Sequence, residues 1–534
     1  MGRKRERELN QELRSKGFNI PTHMRTSKRI SKRISKRTSK RTGENWRSCP
    51  ALLFPQDCWE RIFNLFDSYH DLKDLSLVCK DFLSITNRAR RTLRVLDRDM
   101  IPLFPKLLSR FRDLKAIDLE EIDGDELDDL LHQIANSGLK NLQELDISSN
   151  KYNKKCLPIA ALRHLGSNTK SLKVFKCTHL NTLGDEDLFA IADSMPELEE
   201  LCISTYYANN VHNAGMEAIS QKLKKLRRID MSIHRSITEK SLIANFSDFS
   251  LEKLSIISCF TPEHHDAIIY ILENFKDLIS LKVGGNEFQV GCRTNFKFPI
   301  ESVAFTRSLQ ELEFYDMNVS GLLCSSIAQA SLPLRKIAFS KCYIDSFAVF
   351  LSLVAAYPFL ESLKLKENCF LSETNFPKIE SLTDRQMNDL SQHLSNLRYF
   401  SLTCCGRGQD RITSSTLYYL AKNCPLLTVL VMRKTSLGSN KDRFIRNFSV
   451  ENAVNNRHIQ FLNLSMNKFL KDESLEKLTL ICRNLKFLHV AGCPQLTEGG
   501  IRKVKNYSSN RKILNHWFKN VELTYQGHIH PVVI

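Results

Sequence analysis

From Leu114 to Val490 the chain repeats a six-residue pattern, apolar-x-x-apolar-x-apolar, fourteen times at a mean spacing of about 28 to 29 residues. Clear copies are Leu142-Leu145-Ile147, Leu198-Leu201-Ile203, Leu251-Leu254-Ile256, Leu278-Leu281-Val283, Leu360-Leu363-Leu365, Ile459-Leu462-Leu464 and Leu485-Leu488-Val490. The last two apolar positions alternate, so on a strand they share one side while their neighbours take the other. A helical pattern follows most copies: Leu188, Ile191, Ala192 and Met195 fall at i, i+3, i+4 and i+7, one apolar stripe. One strand and one helix of this size cannot close a core, but stacked copies bury each other's apolar faces. The pattern therefore predicts an α/β solenoid of about fourteen repeats over residues 92–525, with strands on its concave face. At about 4.8 Å per strand, that strip is on the order of 65 Å long, a scale that suits a macromolecular partner.

A repeat of this length and wording is that of a leucine-rich repeat. Upstream, residues 51–91 read as three short helices with two apolar stripes, Trp59-Ile62-Phe63-Phe66 and Leu75-Val78-Cys79-Phe82. Pro55 fits as a helix-opening residue and Asp57 as a first-turn acid that favours the helix dipole. Forty residues make a small core, so these side chains are expected to be buried against the first repeat or against a partner. Residues 1–50 carry four tandem Ser-Lys-Arg-Ile/Thr units between Ser27 and Thr42 and read as a disordered basic tail; residues 526–534 read as a C-terminal tail.

Charge changes the picture less than its total suggests. Of the net +18, residues 1–50 hold +12, which leaves +6 for the rest of the chain. The tail is a candidate nuclear-import signal or a solvated arm, which gives nucleus and/or cytoplasm as the expected location. No aromatic residue lies within residues 25–45 to stack on bases, so nucleic acid is not the expected partner. A twelve-residue stretch, Asp118 to Asp129, carries eight acids and no basic residue, and is a conceivable cradle for the tail. The sixteen cysteines form no Cys-x-x-Cys, and reduced, buried thiols are expected rather than disulfides or zinc. The longest apolar run, Phe347 to Leu360, is too short to span a bilayer, and no membrane association is expected.

No catalytic constellation emerges, and no cofactor or metal is expected. His264 and His265 are adjacent and diverge; Gly406-Arg407-Gly408 lacks the rest of a nucleotide loop; His528 and His530 lie in the tail. Cys259, Cys342, Cys404, Cys405 and Cys493 follow strand patterns and are expected at buried loop positions. Function is sought instead on the strand positions facing away from the core. Early strands place Asp118, Glu144, Asp146, Lys176, Glu200, Arg228 and Asp230 there, whereas late strands place Tyr399, Val429, Val431, Arg433, Phe461, Phe487 and His489. Exposed aromatics beside an Arg have the composition of an interface centre, so Tyr399, Arg433, Phe461 and Phe487 are the expected anchors for a protein substrate. Three long intervals are expected to eject loops at Asn286–Phe298, Cys369–Leu382 and Thr435–Asn455.

The segments Phe54-Pro55-Gln56-Asp57-Cys58-Trp59-Glu60-Arg61-Ile62-Phe63 and Leu72-Lys73-Asp74-Leu75-Ser76-Leu77-Val78-Cys79-Lys80-Asp81-Phe82-Leu83 resemble the F-box motif. Phe54 stands for the usual Leu before the Pro, and Phe63 for the second apolar residue. With the repeats behind it, the chain is similar to the F-box/leucine-rich-repeat receptors, with Asp57-Cys58-Trp59 worded like the plant members; Gly492 to Ile501 is close to the consensus of the cysteine-containing repeat class. The resemblance implies a non-catalytic substrate-recognition subunit of an SCF-type ubiquitin ligase. Phe54, Pro55, Ile62, Phe63, Leu72, Leu75, Val78, Cys79 and Phe82 would form or support a surface for a Skp1-like adaptor, and through it a cullin. Trp59 would equally serve to anchor the F-box to the solenoid. A leucine-rich-repeat scaffold with no part in degradation is the alternative.

Overall fold

The computed structural model describes residues 56–65, 69–95 and 98–514, apart from 121, 123, 149–155, 233–248, 258–274, 285–306, 372–378, 381, 405–411, 441, 447–457, 483 and 507–511. Both tails, Phe54, Pro55, Phe66, Cys259, Cys405, His264, His265, the Gly406–Gly408 segment and the Asn286–Phe298 loop lie outside the described residues. The chain divides into two compact units, residues 1–89 and 90–534.

Among the described residues, the first unit contains three helices, α1 (Gln56–Phe63), α2 (Tyr69–Ser76) and α3 (Lys80–Ala89). Phe63, Leu72, Ile85 and Ala89 form its core, with Trp59, Leu75 and Phe82 packed against them. Three rings organise it: Trp59 lies 4.9 Å from Phe82 and 6.0 Å from Phe63, and Phe63 meets Phe82 edge-on at 5.0 Å. Trp59 is therefore a member of this unit's own core. The stripe expected from Leu75 to Phe82 does not lie on one helix. The N–H groups of Leu77 and Val78 bond three residues back, to Asp74 and Leu75, and this tight turn ends α2 before α3 begins.

The second unit is built on one parallel sheet of sixteen strands in chain order, from Thr92–Arg94 to Lys512–Leu514. Fourteen of them fall on the fourteen apolar patterns, and one more extends each end. Burial alternates as the pattern requires: in Ser280–Gly284, Leu281 and Val283 are in the core while Ser280 and Lys282 face outward. The helix predicted around Leu188 spans Asp185–Ser194 and buries Leu188, Ile191 and Ala192. Helices of neighbouring repeats pack closely; a Cβ on Gly166 would lie 2.3 Å from the Ser194 carbonyl oxygen, so only glycine fits there. Among the described residues no helix is long and apolar enough to cross a membrane, and the run from Phe347 is the helix Phe347–Ala355.

Polar side chains sew the repeats together where the sheet does not reach. Asp384 opens one helix and accepts bonds from the Thr413 N–H (2.8 Å) and the hydroxyls of Thr413 (2.6 Å) and Thr416 (2.7 Å) at the next helix. Asp472 does the same for Thr497, and Asp185 accepts from the N–H groups of His212 and Gly215. At turns that follow three of the strands, Asn467 donates to the Met432 and Leu464 carbonyls and accepts from Thr435, and the buried thiols of Cys342 and Cys493 donate to Phe314 and Leu464 carbonyls. Cys342, Cys404 and Cys493 are buried, at the expected positions.

The described parts of two expected loops carry regular structure. Cys369–Leu371 pairs with Tyr343–Ile344 and, antiparallel, with Ile379–Glu380 in a small four-stranded second sheet. Within 435–455, Leu437 and Ile445 are buried, Arg443–Arg446 is helical and Asp442 is fully buried, so this segment carries core residues of its own.

Candidate recognition surfaces

The three-helix unit presents apolar side chains that its core does not use. Ile62 is 41 % exposed, Leu65 81 %, Leu77 71 % and Val78 62 %. Ile62 lies in the last turn of α1 and Leu65 in the turn just past it, and Leu77 and Val78 form the turn between α2 and α3. Of the residues expected at an adaptor surface, Ile62 and Val78 are exposed, Leu75, Cys79 and Phe82 are half-buried, and Phe63 and Leu72 are core supports. Leu65 and Leu77 were not foreseen, because neither falls on an apolar stripe.

On the array, the strand register aligns the outward residues into rows running across the sheet. One row reads Glu200, Arg228, Lys253, Ser280, Glu311, Lys336, Ser362, Tyr399, Val429, Phe461 and Phe487. Its first part is an alternation of charges that pair with one another. Arg228 reaches Glu200 at 3.1 Å, Lys336 reaches Glu311 at 3.4 Å, and in the next row Lys282 reaches Glu313 at 3.7 Å. These residues line a shallow depression of about 200 Å³. Further back, Arg94 pairs with Asp118 and Glu120 at 2.9 Å and Arg98 with Glu126 at 3.2 Å, so the acidic stretch is partly neutralised within the array.

Two groups in the depression show how dry its floor is. Burial, with the charges of Asp230 and Glu200, pushes the Cys202 thiol far up, so it is held as a neutral thiol and is no nucleophile. Burial also raises the Asp230 carboxyl above the usual carboxylate range, with Glu313 and Glu200 adding to the effect against Ser255 and Lys282. A carboxyl raised in the folded state is a cost once ionised; the cost is absent below its unfolded pKa and complete above its folded one. Asp230→Asn is therefore expected to raise the urea midpoint of the protein at pH 7 and to leave it unchanged below about pH 4. An Asn variant less stable than the parent at pH 7 contradicts this account.

The later part of the same row turns apolar. Tyr399 and Phe487 are half-buried, and Arg433 is half-buried two positions along its strand from Val431. Phe461, expected to be an exposed anchor, is only 2 % exposed. It stands in register between Val429 and Phe487, with its ring 6.4 Å from that of Phe487, and the outward residues Val431, Asn463 and His489 beside it are buried as well. Phe461 thus supports the surface rather than presenting one. Among the described residues no group of three or more His, Cys, Asp or Glu is placed to hold a metal ion.

No curated protein matches the chain by sequence. Residues 455–478 match the family model described as leucine rich repeat. Solved structures with a similar fold include a chain of the Rad7 and Elc1 complex in yeast, at 16 % identity over 76 % of this chain and 91 % of that one, with a TM-score of 0.45. A leucine-rich-repeat protein of Leptospira interrogans matches at 15 % identity over 79 % of this chain and 99 % of that one, TM-score 0.34. An internalin of Listeria monocytogenes matches at 15 % identity over 79 % and 96 %, TM-score 0.34. The second unit is a leucine-rich-repeat-like α/β solenoid with a parallel strand sheet.

Proposed function

We propose that the chain is a non-catalytic substrate-recognition subunit of an SCF-type ubiquitin ligase, working in the nucleus and/or cytoplasm. The three-helix unit takes a Skp1-like adaptor, which links it to a cullin, and the outward sheet face of the array holds a protein substrate. The observation that carries this reading is the pair of exposed apolar sites at Ile62–Leu65 and Leu77–Val78 on a unit whose core is already closed by Phe63, Leu72, Ile85 and Ala89. Exposed apolar side chains grouped on a small folded unit mark a protein interface. Ile62, Leu77 and Val78 occur within the F-box-like wording of the sequence, and all four lie ahead of the repeats, the order of an adaptor-binding receptor. On the array, Tyr399, Arg433 and Phe487, with Phe461 beside Phe487 in the same row, are the proposed substrate contacts.

Co-purification tests the first half of the proposal. The full chain is expected to retain a purified Skp1-like adaptor through size-exclusion chromatography, and the chain lacking residues 52–90 is expected to lose it. Equal retention by both forms overturns the adaptor assignment.

A further inference from the structure

Two histidines of neighbouring repeats meet on the helical side of the array. His132 belongs to the helix Gly124–Asn136 and His164 to the helix Ile159–Asn168. Their Nδ1 atoms lie 2.8 Å apart, with the ring centroids at 5.0 Å and the ring planes inclined by 43°. Both residues are half-buried, so packing holds the pair in place while it keeps contact with solvent.

The fold beneath fixes this meeting. The two helices follow strands that pair in parallel, with Ala116 opposite Glu144 and Ile117 opposite Leu145, so they are successive layers of the stack. Leu130, Leu131 and Ile134 on one helix and Ala161, Leu162 and Leu165 on the other are buried in the core. Neither helix turns about its axis without bringing those side chains into water, which opposes any rotation that would separate the rings. His132 directly follows Leu131 and His164 directly precedes Leu165, so each ring stands at the edge of its helix's apolar stripe.

A third side chain sets where the protons sit. The Asp128 carboxylate, one turn before His132, lies 3.8 Å from its Nε2. A carboxylate on that side favours the tautomer with the proton on Nε2, which leaves the Nδ1 lone pair of His132 directed at His164. His164 then donates its Nδ1–H to His132. Moving that one proton to the Nε2 of His164 leaves two Nδ1 lone pairs side by side, with no change in charge.

Two imidazole nitrogens at this separation suit one class of ion. At metal–nitrogen distances of about 2.0–2.1 Å, ligands at a right angle are about 2.8–3.0 Å apart, whereas tetrahedral ligands are about 3.3–3.4 Å apart. The right angle belongs to Cu²⁺ and Ni²⁺, the tetrahedral arrangement to Zn²⁺. We propose that His132 and His164 form a binding site for a divalent transition-metal ion of tetragonal preference, Ni²⁺ or Cu²⁺, bound through both Nδ1 atoms. Two protein ligands leave the other positions to water, so the ion is exchangeable, and it clamps two adjacent repeats in the early part of the array. The inference rests on neither the adaptor nor the substrate reading.

The test is calorimetric titration of the purified full chain with nickel chloride and with zinc chloride, comparing the parent with His132→Gln and His164→Gln. His393→Gln, at an exposed histidine elsewhere on the array, is the control. Each variant of the pair is expected to lose one Ni²⁺ site of the parent or to bind there at least tenfold more weakly, and the control to match the parent. Zn²⁺ is expected to bind at that site at least tenfold more weakly than Ni²⁺. Excess Ni²⁺ is expected to raise the urea midpoint more in the parent than in either variant, because the bridging site exists only in the folded chain. Circular dichroism checks each fold; if one variant is unfolded, the other decides. Equal Ni²⁺ stoichiometry and affinity in the parent and a folded variant reduces the pair to a hydrogen bond and overturns the proposal. A site that holds Zn²⁺ as tightly as Ni²⁺ overturns it too.

Discussion

Replacing Ile62 and Val78 together with aspartate is expected to weaken binding of a Skp1-like adaptor by about a hundredfold or more while the three helices stay folded. Both side chains are exposed, at 41 % and 62 %, and neither belongs to the core of Phe63, Leu72, Ile85 and Ala89, so the substitution removes no packing within the unit. Its effect falls on the partner. A buried apolar anchor at the centre of an interface is worth roughly 2 kcal/mol or more, and a carboxylate forced into its pocket adds a desolvation cost. Two such losses exceed the 2.7 kcal/mol that corresponds to about a hundredfold. Titration calorimetry against purified adaptor measures the change, and far-ultraviolet circular dichroism reports the fold. Affinity within threefold of the parent would show that these side chains face something else.

Asp442→Ala is expected to destabilise the array by about 3 kcal/mol. Asp442 is fully buried, and its carboxylate accepts four bonds: from the Ser414 hydroxyl (2.5 Å) and N–H (3.2 Å), the Gly438 N–H (2.9 Å) and the Ile445 N–H (3.2 Å). It caps its own short helix and, through Ser414, the first turn of the Ser414–Asn423 helix in the preceding repeat. Alanine strands three buried N–H groups and one hydroxyl at once, each costing roughly 1–3 kcal/mol before relaxation and water entry reduce the sum. Asp442→Asn keeps two acceptor sites of the four and is expected to lose less. Urea unfolding compares the three proteins; an alanine variant within 1 kcal/mol of the parent would mean that water replaces the carboxylate freely.

The strands of the array were legible because their signal is local and repeated: two alternating apolar residues behind a third. The two outermost strands escaped for the same reason. At the N-terminal end the first apolar position is taken by Arg90, whose guanidinium stacks over Phe111 at 4.9 Å and fills the place of a leucine with its stem. At the C-terminal end only Ile513 keeps the pattern, since Asn510 and Asn515 hold the other two places. The ties made by Asp185, Asp384, Asp442 and Asp472 join residues about 25 to 32 positions apart, and no short window carries such a bond.

The candidate surfaces were less legible, for two physical reasons. Facing away from the core is not the same as being exposed, as Phe461 shows: it is an outward residue in register between Val429 and Phe487, yet only 2 % exposed. An apolar stripe, in turn, records which side chains would share a helix face but not where the helix stops. Leu75 to Phe82 read as one stripe until the turn at Leu77 and Val78 broke it and left those two side chains outside.

The central claim is delivery of a held protein to ubiquitin transfer, and reconstitution measures it directly. A protein that co-purifies with the full chain, mixed with adaptor, cullin, RING protein, conjugating enzyme and ubiquitin, is expected to gain polyubiquitin chains. It is expected to stay unmodified when the receptor carries the Ile62→Asp and Val78→Asp pair. Equal polyubiquitination with and without that pair, or none with the parent chain although adaptor and substrate are both bound, would contradict the account.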